Sequence, residues 1–432
     1  MSKNLKLFLG VAVLFLLTGL FISWNQALFI LNFALVSAIM ALGVNIQWGY
    51  AGLFNTGIMG FAALGGLSVA LVATPPVREA WSAGGAGILG GLAIGVAVLA
   101  AAVALWKRMP KGRTRGLAMI ALLTVGFILF RAVFDPAVEA VEAINPSVSG
   151  NLGGLGLPVL VAWPVGGLLA AAAAWAIGKT ALGLRSDYLA IATLGIAEII
   201  IAVMKNEDWL ARGVKMMNLQ QRPWPVPFEV ELQANETFLN FAASLGFDPV
   251  TGSSILVKLV YMVMILAVLA LVIWLSERAL NSPWGRMMRA IRDNEDAARA
   301  MGKDVTARHL QIFILGSAVV GVAGAILTSM DGILNPGTYQ PLRFTFLIWV
   351  MVIVGGSGNN WGAVLGAMLI GWLWLIVESL GPVAMSAITS GMSEGPLKAH
   401  LVDSAQHMRL LTLGVILLLV LRFSPKGLIP EK

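Results

Sequence analysis

Apolar blocks separated by short polar breaks run the length of the chain, at approximately 5–24, 27–46, 57–73, 86–106, 117–134, 155–177, 187–204, 255–276, 310–329, 344–356, 362–380 and 409–423. A hydrocarbon core about 30 Å thick calls for about 20 apolar residues in a helix. A segment in lipid must also satisfy its own backbone, which leaves helices or a closed barrel. Barrel strands alternate apolar and polar residues over about ten positions, whereas Leu7–Phe21 and Ile88–Leu105 are apolar throughout. The pattern therefore predicts an all-α fold, a polytopic transmembrane helix bundle of about 12 spans. The tenth block is short and runs into Gly355-Gly356-Ser357-Gly358-Asn359-Asn360, so a tilted, broken or re-entrant segment is expected there.

Composition agrees. Of 432 residues 58% are hydrophobic and 12% charged, against roughly 45–50% and 25% in soluble domains. Lys3 and Lys6 ahead of an apolar run imitate a secretory signal, but a second apolar run begins at Ala27 with no small-x-small cleavage site between. The first block reads as a retained helix. The chain has no cysteine, which excludes disulfides and thiolate metal sites.

The net charge of +7 argues for membrane orientation rather than nucleic acid, because of where it sits. Lys107, Arg108, Lys111, Arg113 and Arg115 crowd one link, and 277–309 is similarly basic. The N-terminus (Lys3, Lys6) and the tail (Arg422, Lys426, Lys432) match them, while other links carry Asp135, Glu139 and Glu142, or Glu229, Glu231 and Glu236. With twelve spans all four basic regions fall on one side, which places both termini in the cytoplasm and residues 205–254 in an external loop. Trp24, Trp106 and Trp274 stand at span ends, where aromatic rings meet headgroups. Gly87, Gly91 and Gly95, and again Gly358, Gly362 and Gly366, form stripes that let helix backbones approach closely.

One cytoplasmic link has helical character. Pro283 opens it and Gly302 closes it. Met287, Met288, Ile291, Ala298 and Met301 make an apolar stripe among Arg289, Arg292, Glu295, Asp296 and Arg299. Nothing else in the chain is obviously placed to cover that stripe. Two readings follow: a helix lying in the headgroup interface, or a docking element for a partner.

Asp296-Ala297-Ala298, then Gly302, then Ile312 resembles the EAA–Gly loop of ABC importer permeases, with Asp for the usual Glu and Leu315 where some members have Pro. The stretch from Arg185 to Ile199 (RSDYLAIATLGIAEI), residues 285–302, Val354–Gly358 and the tail from Arg422 to Leu428 are similar to LivM-type branched-chain amino acid permeases. The resemblance covers 30–73 and 180–432. It implies a permease subunit in a bacterial inner membrane, paired with a second related permease, two cytoplasmic ATPases and a periplasmic solute-binding protein. It also implies ATPase coupling through Arg286, Arg289, Arg292, Glu295, Asp296, Ala297, Ala298 and Gly302, with no cofactor in this chain. Branched-chain amino acids are the implied solute; relatives carry urea and short amides. Two departures stand out. Residues 84–153 read as an inserted helical hairpin whose ends both lie outside the cytoplasm. Leu210–Lys215 replaces a Thr-Gly-Gly-like turn, so solute specificity is not carried over from that loop.

No catalytic cluster emerges. Gly178-Lys179-Thr180 lacks the earlier glycine of a phosphate-binding loop, since Ala173 stands there and no strand precedes it. His309, His400 and His407 are too scattered for a metal site. Polar groups inside spans are the remaining candidates. Glu198 lies mid-span, where a carboxylate costs roughly 2.5–3.5 kcal/mol against lipid; it either lines a solute path or pairs with an interhelical donor, and Thr193 precedes it on the same span. Asn45, Asn55 and Thr56 flank Gly49-Tyr50-Ala51-Gly52, where exposed helix ends would hold the two charges of a zwitterion or simply bond neighbouring helices. Asn359 and Asn360 are placed to cap a broken helix, and Arg343 to anchor at the outer edge. An ion-coupled transporter is the competing class; it needs intramembrane coupling residues, of which the spans offer few besides Glu198.

Overall fold

The computed structural model describes residues 3–146, 150–184, 186–219, 224–244, 246–393 and 395–431. Every predicted block is helical. The helices labelled here are α1 (Lys3–Phe21), α2 (Trp24–Val44), α3 (Ile58–Ala73), α4 (Ala86–Arg108), α5 (Arg113–Glu142), α6 (Val159–Ala181), α7 (Ser186–Asn206), α8 (Pro249–Leu280), α9 (Pro283–Asp293), α10 (Glu295–Ala300), α11 (Val305–Asp331), α12 (Leu347–Gly355), α13 (Asn360–Thr389), α14 (Pro396–Asp403) and α15 (Met408–Phe423), with further short helices at Arg78–Ala80, Asp208–Ala211, Glu229–Gln233 and Glu236–Ser244. Among the described residues nine helices are long and apolar enough to cross a membrane, and α14 with α15, bent by 68°, makes a further candidate. Ile58–Ala73 and Leu342–Gly355 are shorter apolar helices. Arg185, the first residue of the stretch from Arg185 to Ile199 singled out above, lies outside the described residues.

The bundle is built around α2. It packs against α8, α11, α12 and α13, while α3 lies between α6, α7 and α11. Small residues make the close crossings possible, as expected where lipid gives helices no hydrophobic reason to associate. A Cβ on Gly65 would stand 2.0 Å from the Gly321 carbonyl oxygen, and one on Gly324 would stand 2.1 Å from that of Ala62. The expected stripes are also at crossings: a Cβ on Gly91 would meet Phe134 of α5 at 2.8 Å, and one on Gly366 would meet the Met351 carbonyl oxygen of α12 at 2.0 Å.

The tenth block is broken at both ends. A wide turn at Leu342–Phe346 leads into α12, and Gly356 (φ +117°) and Gly358 (φ +78°) separate it from α13. The chain's tail fills the break. Leu428 N donates to the Val354 carbonyl at 2.9 Å and Ile429 N to that of Gly355 at 2.9 Å.

Residues 78–142 form a hairpin apart from this core. It carries its own small apolar cluster of Ala80, Ile88, Phe134, Ala137, Val141 and Leu152, and meets the rest chiefly at Trp209. Phe134 packs edge-on against that indole at 5.6 Å, and Trp209 N donates to Glu142 Oε1 at 3.2 Å. Beyond it, Met217–Asn218 pairs antiparallel with Ile333–Leu334, in register Met217↔Leu334, tying the 205–254 loop to the end of α11.

Candidate functional site

The centre of the bundle is an interruption held by amides. α2 runs into a wide helical turn at Asn45–Gly49, where a turn of this type leaves backbone groups to be satisfied by side chains. Asn45 Oδ1 accepts from Gly358 N at 2.9 Å, and its Nδ2 donates to Asn360 Oδ1 at 3.2 Å. Gln47 Nε2 donates to the Phe313 carbonyl and to Ser317 Oγ, each at 3.0 Å, while its Oε1 accepts from Asn55 Nδ2 at 2.8 Å. The carbonyl of Asn55 accepts from Trp349 Nε1 at 3.0 Å. Thr56 N donates to Thr193 Oγ1 at 3.1 Å, and Thr345 Oγ1 donates to the Thr56 carbonyl at 3.1 Å. Asn45, Gln47, Asn55 and Asn360 are at most 1% exposed.

Of the residues singled out from the sequence, Asn45, Asn55, Thr56 and Thr193 thus come together, each bonded to protein. Their geometry is that of a splint for two broken helices. Asn359 caps α13, accepting from Trp361 N at 3.0 Å and Gly362 N at 3.2 Å, and its Nδ2 donates to the Pro430 carbonyl at 3.2 Å. Glu277, which sequence reasoning missed, accepts from Asn360 Nδ2 at 2.9 Å. It closes a span and looks like an ordinary end-of-helix charge. Gln47 was also missed, though it lies inside the same Gly-rich link as Asn45.

On the basic side, the helix expected over 283–302 is two helices. Asn294 (φ −157°, ψ 99°) leaves the helical region and its side chain accepts from Ala297 N at 2.9 Å, capping α10; asparagine is among the residues that favour this position. Pro283 stands in the first turn of α9, and Gly302 takes φ +77°. Most of the apolar stripe is not free, contrary to expectation: Met288 is 0% and Ile291 2% exposed, both in the main core, Ala298 is buried and Met287 half-buried, while Met301 is 79% exposed. This chain therefore covers most of the stripe itself and leaves Met301 outside. Arg286, Glu295, Asp296, Ala297, Arg299 and Gly302 remain exposed, and Arg289 is half-buried.

Arg292 points the other way. Its Nη1 donates to the Gly49 carbonyl, at the broken end of α2, and pairs with Glu431 Oε2 of the tail at 2.9 Å. Burial opposes its charge, but the bond and charge of Glu431, together with Asp293, outweigh that and raise its pKa. One guanidinium therefore joins α9, the α2 interruption and the tail.

Glu198 is not part of the network. It is exposed on α7, in a stripe with Tyr188, Ile191, Gly195, Ile199 and Val203, while Ala190, Thr193, Ala197 and Ile201 face the bundle. A cavity lies at each end of α7. Beside its first turn, a polar one of about 360 Å³ is lined by Ser186, Leu189, Phe54, Arg292, Glu295 and His309. Beside its last turn, where α7 packs on Pro336–Thr338, a second of about 260 Å³ is lined in part by Asp331, Thr338 and Tyr339. Asp331 was not singled out from the sequence, since an acid ending an apolar block reads as a solvated helix end. Arg343 is half-buried rather than free at an edge, with its Nε lacking a partner and its guanidinium over the rings of Phe33 and Phe344.

Comparison with known proteins returns transport permeases. The family described as branched-chain amino acid transport system, permease component, matches residues 115–421. The high-affinity branched-chain amino acid transport system permease protein LivM of Escherichia coli K12 is 28% identical over 354 residues, covering 78% of this chain and 74% of that protein. A probable branched-chain amino acid transport permease protein LivM of Methanocaldococcus jannaschii is 31% identical over 156 residues, 36% of this chain and 42% of its own. The LivH permease protein of the same Escherichia coli system is 27% identical over 147 residues, 34% and 42% of the two chains. No solved structure matches.

Proposed function

Since the chain belongs to the family of branched-chain amino acid transport permease components, we propose that it is a membrane-spanning subunit of an ATP-driven importer of those amino acids. ATP hydrolysis then belongs to two separate cytoplasmic ATPases, and an external binding protein delivers solute. The chain sits in a bacterial inner membrane with both termini in the cytoplasm.

The observation that carries this reading is the two-sided character of α9 and α10. Outward, they present Arg286, Glu295, Asp296 and Arg299, a polar surface suited to a water-soluble partner. Inward, Met288 and Ile291 seat them in the core, and Arg292 ties them to the Gly49 carbonyl and to Glu431. A force applied to the outer surface reaches the α2 interruption through one side chain. Closure of paired ATPases is such a force.

The bare face of α7 supports a second permease as partner. A carboxylate half way along an otherwise apolar exposed stripe is expensive against lipid, and a companion subunit covering that stripe places Glu198 at a shared path instead.

Uptake of leucine into membrane vesicles tests the class. Dependence on ATP at the cytoplasmic face is expected; dependence on an ion gradient alone sinks the proposal. Two variants then separate docking from transmission. Arg286→Glu with Arg299→Glu should release co-purifying ATPase, whereas Arg292→Gln should keep it bound while uptake falls about tenfold, a coupling loss of ordinary allosteric size. Loss of the ATPase in Arg292→Gln would make that residue part of the docking surface.

A further inference from the structure

The cavity at the outer end of α7 has features the importer reading leaves unused. It lies at the far end of α11 from the coupling helices, since α11 begins beside α10 and ends at Asp331. Its volume of about 260 Å³ equals roughly nine water molecules at about 30 Å³ each, the scale of one small amino acid.

Its chemistry is divided. Leu327, Ile333 and Phe344 supply an apolar wall. Tyr339, whose ring lies 5.0 Å from that of Phe344, has its Oη bonded to Thr328 Oγ1 at 2.7 Å, which fixes both hydroxyls. Asp331 is exposed to the cavity, and its carboxylate accepts no hydrogen bond among the described residues. Arg343 is close enough to act on it electrostatically, yet closes no ion pair with it, because its guanidinium is held over the ring of Phe344. An acid in the lining without an ion pair, and a cation outside the lining over the ring of Phe344, put both signs of charge at the cavity. A zwitterion with an aliphatic side chain complements all three elements: ammonium at Asp331, carboxylate toward the Arg343 side, side chain on Leu327, Ile333 and Phe344.

We propose that this cavity is an entry subsite for a zwitterionic aliphatic amino acid, with Asp331 receiving the ammonium group before the solute moves along the α7 face. Met216 and Ile333 line it, and the pairing of Met217–Asn218 with Ile333–Leu334 holds those two residues together, so the 205–254 loop contributes to its wall. The proposal rests on the importer reading for direction and solute class.

The absence of cysteine from the chain permits a direct test. Thr338→Cys places a single thiol in the lining, and a membrane-impermeant maleimide added outside intact cells or right-side-out vesicles reads its access. Leucine at millimolar concentration should slow labelling severalfold, and 4-methylpentanoate, which lacks the ammonium, should not. Protection should vanish when Asp331→Asn is added and return in part with Asp331→Glu. No labelling from outside, equal protection by 4-methylpentanoate, or protection retained with Asp331→Asn each overturns the subsite. The comparison of the two solutes on Thr338→Cys alone decides the matter should the double variants fail to fold. ATP-driven uptake measured in the same vesicles keeps the readings apart. Uptake without protection removes the subsite and leaves the importer, while protection without ATP dependence removes the importer and leaves the subsite.

Discussion

The outer hairpin and the central helix are equally apolar and have opposite fates. The most hydrophobic windows of Arg78–Arg108 and Arg113–Glu142 have mean hydropathies of 2.6 and 2.4, and that of Trp24–Gly49 has 2.4. Yet 11% of each hairpin window is buried inside the protein, against 83% of the central one. Hydropathy reports transfer into lipid, which both achieve; it carries no information on whether the neighbour will be lipid or protein. The difference lies in the residues hydropathy scores poorly. The central region holds Asn45, Gln47 and Asn55, which lipid cannot satisfy and other helices can, and glycines whose missing side chains admit another backbone. The hairpin has glycines too, but they serve only its own crossing.

The sharpest way to break this comparison is to fill a glycine in each region. At Gly324 a Cβ would stand 2.1 Å from a backbone oxygen of α3, and backbone cannot step aside as a side chain does. At Gly95 the nearest atom is Phe130 Cδ2 at 3.5 Å, ordinary contact. Gly324→Val should therefore abolish recovery of monodisperse protein from detergent, since overpacking costs about 1–3 kcal/mol even where side chains adjust. Gly95→Val should be recovered at wild-type yield. Similar yields for both would mean that the central crossing is not the tight one.

A smaller effect is expected from the amide network. Asn360 accepts from Asn45 and Tyr50 and donates to Glu277, so Asn360→Ala leaves buried groups unpaired, at a cost of about 1–3 kcal/mol. Its counterpart at the hairpin's edge is Glu142→Ala, which removes one bond to Trp209 N, a part-buried contact. Thermal unfolding in detergent should show a clear drop for Asn360→Ala and a slight one for Glu142→Ala. An equal drop would mean that hairpin and core unfold as one unit.

Much of this was legible in the sequence, and what was not failed for identifiable reasons. All twelve apolar blocks are helices, because apolar runs of that length have few alternatives. The opening Pro283 and closing Gly302 were legible from backbone chemistry alone. Asn294 as a break was not, since an asparagine inside a run of helix formers declares itself only when its side chain finds the Ala297 amide. The covering of Met288 and Ile291 was illegible for a different reason: which surface meets an amphipathic helix is decided by residues far away in sequence. Glu431 and Gly49 meet at Arg292 from opposite ends of the chain, and periodicity does not report such distances.

The mildest expected outcome is also the most discriminating for the hairpin. Its two ends already meet: Pro76 and Gly153 are bridged, and Val77 N donates to the Leu152 carbonyl at 3.1 Å. The extended segment that follows is fastened to the end of α3 independently, with Leu157 N on the Val72 carbonyl at 2.9 Å and Gly156 N on that of Thr74 at 2.8 Å. Joining Val77 directly to Leu152 therefore removes 78–151 without moving either anchor. It takes away a self-contained apolar cluster, whose contacts with the rest centre on Trp209. Segments with few contacts across their boundary are removed with little penalty, so the shortened chain should retain ATP-driven leucine uptake within about twofold of the full chain. The full-length protein's burial pattern sets the alternative outcome. A shortened chain that is monodisperse and heat-stable but no longer assembles with its partners would mean that the hairpin's exposed face, apolar along both helices, is a protein contact rather than a lipid one.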